Sequence, residues 1–130
     1  MVVCGNAEVT DQGIAFAVNN VGSENAQIIN AQIADELMMI KGVIASFVLG
    51  INDRGRTIVC ARSLGDINVQ SLMEKLGGGG HFTSAAAQPD MDFDEASEEL
   101  HKIVRESLEK LPEIDDERKI DAINRRDTIF

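Results

Sequence analysis

Cys60-Ala61-Arg62-Ser63-Leu64-Gly65-Asp66-Ile67-Asn68-Val69, followed by Leu76-Gly77-Gly78-Gly79-Gly80-His81, decides how this chain is organised. Thr57 to Ala61 is apolar and β-branched in part, which predicts a strand. Arg62 to Asp66 is a polar loop leaving that strand's end. Val69, Leu72, Met73 and Leu76 are spaced for a short helix over Asn68 to Leu76, and Gly77 to Gly80 stops it. Four consecutive glycines let the backbone adopt positive φ and approach a ligand without Cβ clashes. Their N–H groups can form a nest for an anion. If His81 opens a helix, its dipole adds to the same anion site. Arg62 offers a planar fork suited to phosphate, and Ser63, Asn68, Thr83 and Ser84 add hydroxyl and amide groups. Plainer readings compete. An isolated glycine run is more often a linker, Arg62 can form a surface ion pair with Asp66 or Glu74, and a lone histidine is commonly exposed. The glycine run lies between two apolar segments of one domain, where a flexible joint has no use.

Outward from this stretch the elements alternate in type. Ile14 to Val18 reads as a strand between Asp11-Gln12-Gly13 and Asn19-Asn20. Ser23 or Asn25 can cap a helix in which Ala26, Ile29, Ile33, Leu37 and Ile40 share one face, ended by Gly42. Val43 to Leu49 is nearly all apolar and predicts a strand buried on both sides. Asn52-Asp53-Arg54-Gly55 is turn chemistry that makes Thr57 to Ala61 its hairpin partner. His81 to Gln88 suits either a helix or a strand. Asp92 and Glu95 form a capping-box pattern, opening an amphipathic helix through Phe93, Ala96, Leu100, Val104 and Leu108, ended by Pro112. The order predicts an α/β fold, a mixed β-sheet flanked by helices, over residues 1–111. Residues 112–130 form a charged tail in which Ile114, Ile120 and Ile123 suggest one more helix, packed on the domain or on a second copy in a homodimer.

Composition narrows the function. The chain has 130 residues and a formal net charge of -10. Long DNA or RNA requires a basic stripe that neutralises many phosphates, so a long nucleic acid is an unsuitable partner. With aromatic content of 4% and no Trp or Tyr, base stacking on aromatic side chains has little to use. A small phosphorylated ligand needs only a local cation. Cys4 and Cys60 are too isolated for a disulfide framework, and a reducing, cytoplasmic setting fits. Cys60 sits in an apolar run as a small core residue. The first residues lack a signal-peptide pattern, and no apolar run is long enough to span a membrane, although the chain can be part of a protein that does.

The residues from Ala61 to Val69, with Leu76 to His81, resemble the DHH-associated domain of DHH-family phosphoesterases. That domain pairs an arginine-serine strand end with a glycine-glycine-glycine-histidine loop. The resemblance extends upstream through Ala34 to Phe47 and downstream through Phe82 to Gln88, covering most of residues 12–111. The run Ala85-Ala86-Ala87-Gln88 lacks the glycine of many oligoribonuclease relatives and looks like the GdpP-type, membrane-anchored cyclic di-AMP phosphodiesterases.

The resemblance implies a division of labour. An upstream DHH domain carries two divalent metals, usually manganese, that activate water. The associated domain binds the nucleotide through Arg62, Ser63, Gly77, Gly78, Gly79, Gly80 and His81, with Asn68, Thr83 and Ser84 as further candidates. This chain has no Asp-His-His motif, and its histidines are His81 and His101. It is therefore expected to hold no catalytic or metal-binding residues, to contain no cofactor, and to be inert alone. Expected partners are a small nucleotide, cyclic di-AMP or a short oligonucleotide, and the upstream DHH domain. The alternative is a nucleic-acid-binding module, either of a short-oligoribonucleotide exonuclease or of a tRNA-recognising protein such as alanyl-tRNA synthetase. In the synthetase version the glycines are followed by arginine, proline and aspartate rather than by His81-Phe82-Thr83-Ser84.

Overall fold

Ile14, Ala15, Phe16, Ala17 and Val18 begin a strand, β2 (Ile14–Ser23), in which Ile14, Ala15 and Ala17 are buried. A computed structural model describes residues 7–110, apart from the side chains of residues 20, 21 and 23. A two-residue strand, β1 (Glu8–Val9), pairs with β2 antiparallel. Helix α1 (Ala26–Leu37) then crosses to β3 (Ala45–Asn52), which runs parallel to β2. β3 turns back into β4 (Thr57–Ser63) as the expected antiparallel hairpin. Asn52 closes the turn, its side-chain oxygen accepting from the Arg54 and Arg56 amides at 2.9 and 3.0 Å. After α2 (Val69–Lys75) come β5 (Gly79–His81) and β6 (Ser84–Ala87), and α3 (Phe93–Lys110) follows. The sheet order is β1-β2-β3-β4-β6-β5, mixed as expected.

Strand alternation separates the side chains into two layers. Ile14, Phe47, Leu49, Val59, Ala61, Ala85 and Ala87 face α2 and α3, which contribute Val69, Leu72, Met73, Leu100 and Val104. Ala15, Ala17, Val48 and Cys60 face α1, meeting Ile33, Ala34 and Leu37. Asp92 caps α3, its carboxylate accepting from the Glu95 amide at 2.8 Å.

Several expectations change. β1 is additional, because a two-residue strand carries no period-2 signal. Helix α1 stops at Leu37, three residues before Ile40; the chain leaves the helix in turns, and Met39 and Ile40 are exposed. β3 starts at Ala45, with Val43 and Ile44 buried in the connection before it. Asn25 is the N-cap residue of α1, but its side chain makes no capping bond. The chain from His81 to Gln88 is strand rather than helix. Leu111, Pro112 and the tail to residue 130, with its expected helix, lie outside the described residues.

Candidate nucleotide-binding site

Antiparallel register aligns four polar side chains across four strands. Ser46 on β3 pairs with Arg62 on β4, Arg62 pairs with Ser84 on β6, and Ser84 pairs with His81 on β5. Directly opposed residues share a face, so all four lie on the α1 side of the sheet. Strands are spaced at about 4.8 Å, which puts His81 roughly 10 Å from Arg62 with Ser84 between them. Helix α1 packs on β3, β4 and β2. Beyond it no described helix covers the β6–β5 half of this face. Ser84 is half-buried, His81 is exposed, and a Cβ built at Gly79 would meet nothing within 4 Å.

Arg62 is held from behind. Its Nε donates to Asp35 Oδ1 of α1 at 2.7 Å, and one Nη1 hydrogen goes to the Ala61 carbonyl at 2.9 Å. The partner is thus Asp35, not Asp66 or Glu74. Nothing in the local sequence signals it, because Asp35 lies 27 positions away. A guanidinium has five N–H donors, so three remain for a ligand. The Arg62 side chain is 20% exposed and Asp35 64% exposed. The pair adds little stability, yet it fixes the fork's direction. Ser46, hidden inside an apolar run, joins the row, but its hydroxyl donates to the Ala34 carbonyl at 2.8 Å and anchors α1.

The glycine loop is built differently from an anion nest. Gly77, at φ +86, ends α2: its N–H donates to the Glu74 carbonyl at 3.1 Å, and the Gly78 N–H reaches the Met73 carbonyl at 2.8 Å. This pair of bonds is a Schellman cap, so two of the expected anion donors serve α2. Gly79 and Gly80 pair with β6. Gly80 sits at φ +143, and a Cβ there would stand 2.6 Å from the Ala85 Cα. His81 lies in β5 and opens no helix of its own.

The other candidates divide in the same way. Ser63 follows Arg62 and so faces the opposite side. It is buried, and its hydroxyl accepts from the Gly65 amide at 2.9 Å. Asn68 caps α2, its side-chain oxygen accepting from Ser71 at 3.1 Å. Thr83 is exposed at the β5–β6 tip, and its carbonyl accepts from the Ser63 amide at 3.0 Å. This bond and the 3.1 Å bond from Val69 N–H to the Phe82 carbonyl dock the tip on the segment between β4 and α2. His101 is exposed on α3, away from the row, with its ring stacked on Phe16 at 4.3 Å between centroids.

Beside Arg62, Cys60 is buried as expected. Desolvation pushes its thiol from 9.0 up to about 11, Arg62 pulling it down and Asp35 pushing it up. It is a packed, unreactive group. Among the described residues no group of three or more His, Cys, Asp or Glu is placed to hold a metal, so these residues do not fit a two-metal centre. No described helix is long and apolar enough to cross a membrane.

The DHHA1 domain family model matches residues 13–110. The cyclic-di-AMP phosphodiesterase GdpP of Geobacillus thermodenitrificans is 43% identical over 104 residues, covering 79% of this chain and 16% of that protein. The cyclic-di-AMP phosphodiesterase PdeA of Listeria monocytogenes is 44% identical over 94 residues, covering 72% of this chain and 14% of that protein. The chain thus spans about a sixth of the length of these relatives. Among solved structures, an exopolyphosphatase-related protein of Bacteroides fragilis shares the fold, with a TM-score of 0.63 at 19% identity over 78% of this chain and 31% of that one.

Proposed function

The chain belongs to the DHHA1 domain family, and from that premise we propose that it is the substrate-binding part of a longer phosphodiesterase whose substrate is cyclic di-AMP. The observation that carries this reading is the row Arg62–Ser84–His81 on the open half of the sheet. It sets a planar cationic fork, a hydroxyl and an imidazole on one accessible surface. Arg62 binds phosphate oxygens through the donors that Asp35 and Ala61 leave available. Ser84 and His81 give further hydrogen bonds to the phosphodiester or ribose. Two relatives more than 40% identical over most of this chain are named cyclic-di-AMP phosphodiesterases, which supports the substrate. Asp35 balances the charge of Arg62, so the row orients an anion more than it attracts one. The hydrolytic step, and the manganese that activates its water, belong in this reading to a DHH domain elsewhere in the longer protein. This part binds and positions the phosphodiester there and is inert alone. The same reading places it on the cytoplasmic side of a membrane-anchored parent.

Calorimetric titration with cyclic di-AMP, linear diadenylate and AMP tests the proposal. Arg62→Ala should weaken dinucleotide binding by roughly 10- to 100-fold, the loss expected for hydrogen bonds to a charged group. His81→Ala should weaken it by up to about tenfold. Binding that neither substitution changes contradicts the site. No binding even after the upstream domain is restored contradicts the assigned function.

A further inference from the structure

The open half of the sheet continues past the phosphate-facing row. Along β4 and β6, Arg62, Cys60 and Ile58 share one face with Ser84, Ala86 and Gln88. Four residues of strand carry the surface about 13 Å from Ser84 to Gln88. At that far end a cavity of about 270 Å³ lies between α1 and the end of α2. Its floor includes Ile58 and Ala86, one wall is the backbone of Gly77 and Gly78, and Gln27 of α1 and Gln88 stand at its rim. The glycine wall is pinned, because any Cβ at Gly78 would collide with the Ala86 carbonyl. Whole-ligand pockets run from about 300 to 1,000 Å³. This cavity falls just below that range and suits a single ring system.

We infer that this cavity is a nucleobase subsite that selects adenine through the carboxamides of Gln27 and Gln88, an inference that rests on the proposed nucleotide-binding role. Ile58 and Ala86 beside the glycine backbone offer a surface for the face of a base. A carboxamide presents a donor next to an acceptor. Adenine presents the complementary pair on its exocyclic amine and N7, the edge that Gln and Asn read bidentately. Guanine presents two acceptors on the equivalent edge, which call for an Arg or Lys, and no cation lines this cavity. The row and the cavity lie along the same strands, so a nucleotide with its phosphate at the row can direct its base toward the glutamines. Gln27 and Gln88 are both exposed, so removing their side chains leaves the core intact.

The test is a heteronuclear NMR titration of the full chain with AMP, GMP and ribose 5-phosphate, in the wild type and in a Gln27→Ala/Gln88→Ala double variant. AMP should bind at least about fivefold more tightly than GMP, the low end of one bidentate base contact. The double variant should reduce that preference to within about twofold while ribose 5-phosphate binds unchanged. The carboxamide signals of Gln27 and Gln88 should move with AMP and stay still with ribose 5-phosphate. A preference that survives in the double variant, or equal binding of AMP and GMP, overturns the base subsite. If Arg62→Ala still weakens both ligands in that case, the phosphate-binding row stands without it. If none of the three binds, ribose 5-phosphate included, even after the upstream domain is restored, the nucleotide-binding role falls and the subsite with it.

Discussion

The two faces of the sheet are made by the same strands and do opposite work. Val59, Ala61 and Ser63 of β4 face α2 and α3 and are buried; Ile58, Cys60 and Arg62 alternate with them and face α1 or the open surface beyond it. One face is closed by two helices and is almost wholly apolar. The other is closed only as far as α1 reaches, and polar side chains begin where the helix cover ends. Period-2 alternation therefore puts Arg62 on the α1 face beside Asp35 while its neighbour Ser63 turns to the other face and holds a loop. Neighbours in sequence are not neighbours in the site; Arg62, Ser84 and His81 are.

Substitutions on the two faces should separate stability from binding. The largest effect is expected from Phe47→Ala on the closed face. Phe47 is fully buried, and such a truncation removes about 3–5 kcal/mol, measured by urea unfolding. That is a large fraction of a typical domain's total of about 5–15 kcal/mol. Retained stability would mean that the α2–α3 face is not the main core.

Next come the glycines. Gly78→Ala forces a Cβ into the Ala86 carbonyl and should cost about 1–3 kcal/mol and weaken ligand binding by displacing β5. Gly79→Ala places its Cβ in open space and should change stability by less than about 0.5 kcal/mol. Equal effects in thermal denaturation would contradict the close packing of β5 on β6.

Cys60 lies on the α1 face but is closed to solvent. Its folded-state pKa is raised, so the stability it contributes is fully present below 9.0 and is lost as pH rises from there through about 11. In a Cys4→Ser background, labelling of Cys60 should proceed only on unfolding. Fast labelling of the folded protein near neutral pH would place the thiol at the surface.

A small effect is also expected from the ion pair behind Arg62. Asp35→Ala removes an ion pair whose carboxylate is largely exposed and should lower stability by less than about 1 kcal/mol. A larger loss in unfolding experiments would make the pair structural rather than a guide for Arg62.

Much of this fold is legible in the sequence, and for local reasons. The β3–β4 hairpin announces itself by an apolar run, a turn rich in Asn, Asp and Gly, and a second run. The cap at Asp92 is equally local. The β5–β6 hairpin is not, since three glycine and histidine residues and an alanine-rich strand carry no clear period. Arg62, Ser84 and His81 stand out in the sequence as separate candidates, and only strand register aligns them in one row. The glycines were expected as anion donors because their N–H groups are unassigned in sequence; α2 takes two of them for its cap. Asp35 and Ser46 join the site through tertiary pairing that no spacing reveals.

The central claim is that ligand binds to the open half of the α1 face, along the row from Arg62 to His81. Its most direct test is a map of backbone amide shifts in ¹⁵N-labelled protein titrated with linear diadenylate. The account predicts that the shifts gather at Arg62, Gly79 to Ala86 and Asp35, leaving α3 and β1 unchanged. Shifts gathered on α3 and the α2 surface, with the row silent, would contradict it.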